Sequence, residues 1–346
     1  MEAAVTAVKQ DVPRGGVLRR LFIRPELGAV VGAIVVFLFF ASLSPVFSSV
    51  SGVANWLDPA STLGIMAVAV ALLMIGGEFD LSAGVMTGTS GLTLAMLTAV
   101  YGFDVWTAML VGLVLCLAIG LFNGVMVIRT KLPSFIVTLG TFLMLQGINL
   151  GVTKAVTGSV QIGGIALASG YDTAHRIFAS SVTVFGAQFR VSILWWLAVT
   201  ALATWVLLRT RAGNWIFAAG GNPVAARSVG VPVARTKIAL FMTTAFAAWL
   251  VGTILALRLT SVQANTGIGQ EFIYIIAAVI GGCLLTGGYG SAIGAAIGAL
   301  IFGMAEKGIV FAGWDSDWFK FFLGVMLVAA ALTNHLVRRF AEETRR

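Results

Sequence analysis

Two acidic side chains between long apolar runs are the first candidates for chemistry. Glu78 and Asp80 lie in the segment 76–84, which joins two such runs. A carboxylate there could carry protons, or act as a gate or hinge at the inner end of a substrate path. The alternative is a place at the boundary of the apolar region, where the charge of Asp80 would suit the start of the next helix. The spacing leaves both interpretations open.

A second group consists of polar side chains inside apolar runs. Their hydroxyl and amide groups could line a path for a polar solute, or could form hydrogen bonds between helices. These residues are Asn123, Thr138, Thr141, Gln146 and Asn149. The residue types are compatible with both roles.

The sequence contains few residues that could bind a nucleotide or metal or carry out catalysis. No G-x-x-x-x-G-K-[ST] motif is present, so we expect no nucleotide bound through a P-loop. The two histidines, His175 and His335, do not stand at metal-ligand spacing with another His, Cys or carboxylate. Cys116 and Cys283 both lie in apolar runs, and no Ser, His and Asp set stands out. We therefore expect neither an enzyme nor a cofactor or metal bound by this chain.

The composition indicates that helices in a membrane position these residues. Hydrophobic residues make up 59% of the 346, and charged residues 10%, against about 25% charged in soluble proteins. The uncharged runs are 27–47, 59–77, 81–103, 105–128, 132–153, 191–208, 238–257, 272–305 and 321–337. The run 272–305 is too long for one span and is broken at 286–291, so we predict two helices there. An all-α, polytopic membrane protein with about ten transmembrane helices is predicted.

The orientation follows from the Lys and Arg residues. An even number of spans places both termini on one side, and that side carries 16 of the 22 Lys and Arg residues. Because positively charged loops stay in the cytoplasm, both termini are predicted to be cytoplasmic. The chain is thus divided into a cytoplasmic tail at 1–26, a membrane domain at 27–337 and a cytoplasmic tail at 338–346. The positive charges that give the net charge of +8 lie in the loops that flank the membrane. We therefore expect the chain to contact lipid and not to bind nucleic acid.

Two connections are long enough to have roles of their own. The extracytoplasmic segment 153–190 could cap the outer mouth of the protein or meet a partner, or could be a plain solvated loop. The cytoplasmic segment 209–237 contains a predicted short helix, because Asn222 is a favoured N-cap and Pro223 suits the first turn. Gly230 can end this helix in the left-handed conformation.

The short helix has the features of a docking element. Gly220 and Gly221 are predicted to bend the chain just before it, and Ala225 and Ala226 keep its surface small beside Arg227. A small helix outside the membrane suits a groove on a partner protein. A helix lying on the lipid surface is the alternative.

Glycine patterns suggest an internal repeat and close helix packing. The segment 75–84 resembles 280–288, as expected for a repeated span–turn–span unit, although chance in a Gly-rich chain is an alternative. Glycines spaced by four residues predict close contact between helices. They are Gly290, Gly294 and Gly298, Gly120 and Gly124, and Gly28 and Gly32.

Four segments in order resemble the permease subunits of bacterial ABC importers for simple sugars, the ribose, xylose, arabinose and galactose group. They are GGEFDLSAG at 76–84, LPSFIVTLGT at 132–141, IFAAGGNPVAARSVGV at 216–231 and AAVIGGCLLTGGYGS at 277–291. Relatives have Gly-Gly-x-Asp-Leu-Ser-x-Gly in the first segment, so Glu-Phe at 78–79 is a small departure. Order and spacing agree along about residues 28–336.

The resemblance implies a set of partners and a role for the cytoplasmic loop. It implies a second permease copy or a paralogous permease, cytoplasmic ABC ATPase subunits that bind ATP and Mg, and a periplasmic sugar-binding protein at the bacterial inner membrane. The short helix would then be the coupling helix that docks on the ATPase. The coupling residues are Gly220, Gly221, Asn222, Pro223, Ala225, Ala226, Arg227 and Gly230.

The expected function is translocation of a monosaccharide through the membrane. Two alternatives remain open at this point. One is an ABC permease for another small solute, a nucleoside or a branched-chain amino acid, because these share the broader superfamily. The other is a proton-coupled secondary transporter that uses Glu78 or Asp80.

Overall fold

A computed structural model describes the backbone of residues 25–343 and the side chains of residues 26–329 and 332. The predicted tail at 1–26 lies almost wholly outside the described residues. The α-helices in chain order are α1 Pro25–Leu43, α2 Pro45–Ser48, α3 Val50–Ile75, α4 Ala83–Ala95, α5 Val105–Thr130, α6 Ser134–Thr157, α7 Tyr171–Phe178, α8 Ser192–Arg209, α9 Arg211–Gly221, α10 Pro223–Ser228, α11 Val233–Leu259, α12 Gln270–Ile280, α13 Ala292–Phe311 and α14 Trp318–Glu343.

Eight of the described helices are long and apolar enough to cross a membrane. They are α1, α3, α4 with its continuation Met96–Val100, α5, α6, α8, α11 and α13. The two remaining predicted spans correspond to shorter apolar segments, α12 and Trp318–Ala329 of α14. The all-α, polytopic membrane fold is therefore confirmed, and the orientation stays a prediction.

One predicted span is wrong in its length. The run that begins at residue 272 was expected to form a full transmembrane helix, but α12 has only 11 residues. Gly269, just before α12, and Gly282, shortly after it, have positive φ angles of 86° and 91°. This left-handed conformation is incompatible with a right-handed helix, so α12 cannot extend past either glycine and ends at Ile280, before the predicted break at 286.

The central helix of the fold is α3. It packs against α8, α11, α12 and α13, and its residues from Ala60 to Ile75 are buried, most of them Ala, Val, Leu and Met. Helix α4 lies between α5, α6 and α11. The polar residues of the sequence analysis therefore lie in a bundle in which α3 and α4 are enclosed by neighbours.

Two of the three predicted glycine faces make close helix contacts. Gly294 and Gly298 face the backbone carbonyls of Gly281 and Ala277, so a Cβ at either position would overlap with them. Gly120 and Gly124 approach the backbone of α11 in the same way. The third face is wrong, because a Cβ at Gly28 would meet nothing within 4 Å and one at Gly32 would make an ordinary contact.

The similar segments that follow α3 and α12 have the same backbone geometry. Gly76 has φ −70° and ψ −1°, and Gly281 has φ −68° and ψ −1°. Gly77 and Gly282 follow with φ +80° and +91°. In both turns the next amide donates to the carbonyl five residues earlier, at 3.2 and 3.0 Å. The repeat in sequence is thus a repeat of one helix-ending motif.

The predicted extracytoplasmic segment 153–190 is folded rather than plain loop. Strand β1 Gln161–Gly163 pairs antiparallel with β4 Ser261–Gln263, and β2 Ser181–Val184 pairs with β3 Ala187–Arg190. The hydroxyl of Tyr171, at the start of α7, donates to the carbonyl of Leu257 near the end of α11 at 2.9 Å. These contacts fasten the segment to the ends of α6 and α11.

Candidate functional site

Three separate segments meet at the predicted cytoplasmic end of the bundle. They are the turn after α3, the end of α9 and the loop after α12, and they meet at a glycine junction formed by Gly77, Gly220, Gly221, Gly287 and Gly288. The N–H of Gly288 donates to the carbonyl of Ile75 at 2.8 Å. A Cβ on Gly220 would collide with that same carbonyl. Backbone therefore packs directly on backbone, and α9 is held against the turn after α3 and the loop after α12.

The glycine pair before the short helix does not bend the chain, contrary to the sequence prediction. Gly220 and Gly221 are the last residues of α9, an 11-residue helix that the sequence analysis read as loop. The chain turns instead at Asn222, which has φ −149° and ψ 92°. Gly220 is needed for its close contact with α3, not for a turn.

The short helix itself is confirmed as α10. The side chain of Asn222 accepts hydrogen bonds from the amides of Val224 at 3.2 Å and Ala225 at 3.0 Å. Pro223 stands in the first turn. Gly230 has φ +84°, the left-handed conformation that was predicted from its position.

Helix α10 has one attached face and one free face. Ala226 is buried against Ala219 of α9 and Val233 of α11. Ala225 and Arg227 are exposed. The two alanines, grouped together by the sequence analysis, thus have different roles: Ala226 fastens α10, and Ala225 belongs to its outer surface.

Glu78 forms an ion pair across the same end of the bundle. Its carboxylate accepts a hydrogen bond from the ammonium group of Lys237 on α11 at 2.5 Å, and both side chains are largely buried. The pair joins the turn after α3 to the first turns of α11. The charge of Glu78 is therefore compensated by a fixed cation.

Asp80 lies in a buried hydrogen-bond network. Its Oδ1 atom accepts from the amide of Ser82 at 2.9 Å and from the hydroxyl of Ser82 at 2.5 Å. The Asn123 amide group donates to the hydroxyl of Ser82 at 3.0 Å, and the Thr141 hydroxyl donates to the carbonyl oxygen of Asn123 at 2.6 Å. The network joins α5 and α6 to the connection between α3 and α4. The Oδ2 atom of Asp80 is buried without a hydrogen-bond partner among the described residues.

The same connection is also held through its backbone by α6. The amide of Phe79 donates to the hydroxyl of Ser134, and the amide of Leu81 donates to the hydroxyl of Thr138, both at 3.0 Å. Residues 79–81 thus lie alongside the first turn of α6. Thr138, a path candidate, serves here as a support for this backbone.

The last two path candidates lie further along α6. The side-chain amide of Asn149 donates to the hydroxyl of Thr89 on α4 at 3.1 Å, and Asn149 is buried. Gln146 is partly exposed. Four of the five polar candidates therefore make hydrogen bonds to another helix or to the connection between α3 and α4, and a role for any of them in a path stays a prediction.

Several partners at this site could not be identified from the sequence. Ser82 and Ser134 are short polar residues near helix starts, and Lys237 was read only as a topology signal. Glu78 and Lys237 are separated by 159 positions, so no local pattern could have paired them. In the described part of the chain, no three His, Cys, Asp or Glu residues lie together as a metal site would require.

Comparison with known proteins gives consistent similarities. Residues 52–331 match a family described as branched-chain amino acid transport system, permease component. The chain is 30% identical to the ribose import permease protein RbsC of Escherichia coli K12, covering 90% of this chain and 94% of RbsC. It is 31% identical to the xylose transport system permease protein XylH of the same strain, covering 96% and 98%. It is 30% identical to the fructose import permease protein FrcC of Rhizobium meliloti, covering 82% and 78%. No solved structure gives a significant match.

Proposed function

Because this chain belongs to the family of permease components of branched-chain amino acid transport systems, we propose that it carries a monosaccharide across the bacterial inner membrane. It is a transporter subunit, and ATP is hydrolysed on a separate ABC ATPase. The three relatives named above are permeases for ribose, xylose and fructose, which favours a sugar over an amino acid or a nucleoside.

The glycine junction is the observation that carries the mechanical part of this proposal. In this mechanism the free face of α10, with Ala225 and Arg227, docks into a groove on the ATPase. Its attached face is fastened to α9 through Ala226, and α9 packs through Gly220 on the end of α3 and on the loop between α12 and α13. A displacement of α10 would therefore reach α3, α4, α12 and α13 together, without passing through flexible side chains. This route couples ATP hydrolysis to movement of the membrane helices.

The remaining partners follow from the same assignment. ATP and Mg bind to the ATPase, and this chain holds no cofactor. A periplasmic binding protein delivers the sugar to the folded outer segment, where Leu167 and Phe185 are each 92% exposed. Apolar side chains exposed in this way are suited to a protein contact. The complete membrane unit contains two permeases, either two copies of this chain or this chain and a paralogue.

The experiment that tests the proposal is uptake into vesicles containing the purified complex. Co-purification of an ATPase comes first, followed by uptake of labelled ribose, xylose and fructose, driven by ATP or by a proton gradient alone. ATP-dependent uptake of one of these sugars is expected. Uptake driven by the proton gradient alone, and abolished by Glu78→Gln or Asp80→Asn, would instead establish the secondary transporter.

A further inference from the structure

The short helix α12 begins deep within the bundle. It has 11 residues, which span about 16 Å at 1.5 Å per residue. The loop that follows it is fastened to the carbonyl of Ile75 at the predicted cytoplasmic end, through Gly288. The hydrocarbon core of a bilayer is about 30 Å thick. The first residue of α12 therefore lies near the middle of the membrane.

Contacts along α6 give an independent measure of the same depth. Ser134 holds the connection at 79 near the predicted cytoplasmic end of α6, and Asn149 contacts Thr89 of α4. Fifteen helical residues separate these two contacts, about 22 Å. Gly84 precedes Thr89 by five residues of α4, which is about 7 Å along the helix. Gly84 therefore lies about 15 Å from the level of Ser134. Gly84 packs directly against Glu271 in the first turn of α12, so both measures place this turn near the mid-plane.

The segment that leads to α12 is not helical. Residues 264–269 form turns between β4 and α12, and their backbone packs on α4. The carbonyl of Thr266 faces Gly88, and Gly267 meets the carbonyl of Gly84, at positions where a Cβ on either glycine would collide. Non-helical backbone at membrane depth is tolerated only where protein buries it or where it lines a water-filled cavity. One side of this segment is buried against α4.

The other side of the segment carries three side-chain amides. Gln263 and Asn265 are exposed, and Gln270 is half-buried. Among the described residues these side chains have no hydrogen-bond partner. Glu271 faces inward instead, and both its carboxylate oxygens accept from the amide of Gly269. Lipid offers no partner to an amide, whereas water and a hydroxylated solute do.

We propose that the segment 263–270 forms part of the wall of the translocation path, with the amides of Gln263, Asn265 and Gln270 in contact with the passing solute. Neutral amides both donate and accept hydrogen bonds, so they match the hydroxyl groups of a sugar. They carry no charge that would hold the solute or exclude it. The identification of the solute as a sugar rests on the proposed function, and the position of the wall does not.

Thiol labelling tests the wall without reference to the solute. Asn265→Cys and Gln270→Cys, in the complete complex in vesicles, are treated with a membrane-impermeant methanethiosulfonate reagent with and without ATP. The control is Val114→Cys, an exposed position on an apolar face of α5, and the wild-type chain gives the background because Cys116 and Cys283 are buried. Labelling at 265 and 270 should be at least about tenfold faster than at 114, because only a hydrated thiol ionises. Rates equal to that at 114 in all conditions would overturn the proposal.

Uptake kinetics test the contact with the solute. Gln270→Ala should raise the KM for the transported sugar several-fold, and the same sugar should slow labelling of Gln270→Cys. The matched control is Asn55→Ala, which removes an exposed side-chain amide whose hydrogen bond is made within α3, to the carbonyl of Ser51, and which should leave KM unchanged. Unchanged KM in Gln270→Ala together with no protection by the sugar would overturn the contact. If ribose, xylose and fructose are all refused, the sugar assignment fails, while labelling at 265 and 270 would still support the wall.

Discussion

Gly220→Ala and Gly221→Ala place the same methyl group on adjacent residues of α9, but only the first should damage the protein. The added carbon at Gly220 would overlap with the carbonyl of Ile75 and approach the amide of Gly288 at 2.8 Å. The carbon at Gly221 would approach only the Cα atom of Gly288, at an ordinary 3.8 Å. Both glycines are helical and neither has a positive φ angle, so backbone strain does not distinguish the two variants.

The magnitudes follow from three terms. Replacing a helical glycine by alanine stabilises a helix by up to about 1 kcal/mol, and this applies to both variants. Overpacking at Gly220 costs about 1–3 kcal/mol, and separating Gly288 from Ile75 weakens a hydrogen bond worth about 1 kcal/mol. Gly220→Ala should therefore be about 2–4 kcal/mol less stable than Gly221→Ala.

The assay compares the two variants in detergent and in vesicles. At roughly 1.4 °C per kcal/mol for a chain of 346 residues, the unfolding midpoint of Gly220→Ala should lie about 3–6 °C below that of Gly221→Ala. Gly220→Ala should also reduce uptake more than ATPase binding, because the free face of α10 is unchanged. Equal midpoints and equal uptake in both variants would refute the direct backbone contact at the glycine junction.

Three further predictions concern separate features of the structure. Ala225→Trp should reduce co-purification of the ATPase and uptake together while leaving the unfolding midpoint unchanged, because Ala225 is exposed; wild-type binding would show that the free face of α10 is not the docking surface. Lys237→Met should lower the free energy of unfolding by about 3–5 kcal/mol, because it leaves the buried carboxylate of Glu78 unpaired. Adding Glu78→Gln to the same chain should recover part of this loss. A double-mutant cycle of thermal unfolding measures both effects. Gly294→Leu should prevent accumulation of folded protein, because the carbonyl of Gly281 occupies the space; a normal yield would show that α13 can move away.

Much of the architecture could be predicted because it depends on local chemistry. Uncharged runs of about 20 residues must be helices in lipid, whatever they pack against. Helix α10 was predictable because Asn222, Pro223 and Gly230 act on the backbone within a few residues of themselves. The two Ile-Gly-Gly helix ends were visible for the same reason, since each glycine pair sets the φ angles of its own turn.

The geometry of the candidate site depends on which helices and connections contact each other, and no local sequence pattern encodes these contacts. The tertiary structure decided that Asn123 bonds to the connection at Ser82, that Lys237 pairs with Glu78, and that Gly220 packs on Ile75 instead of bending the chain. It also decided the depth of α12, because the place of a short helix is fixed by its neighbours Gly84 and Gly288 and not by its own sequence. Caps, turns and apolar length act over a few residues and were determined by the sequence alone. Contacts between segments more than 100 residues apart depend on the whole bundle, so only the folded structure shows where its polar groups are buried and where they stay free.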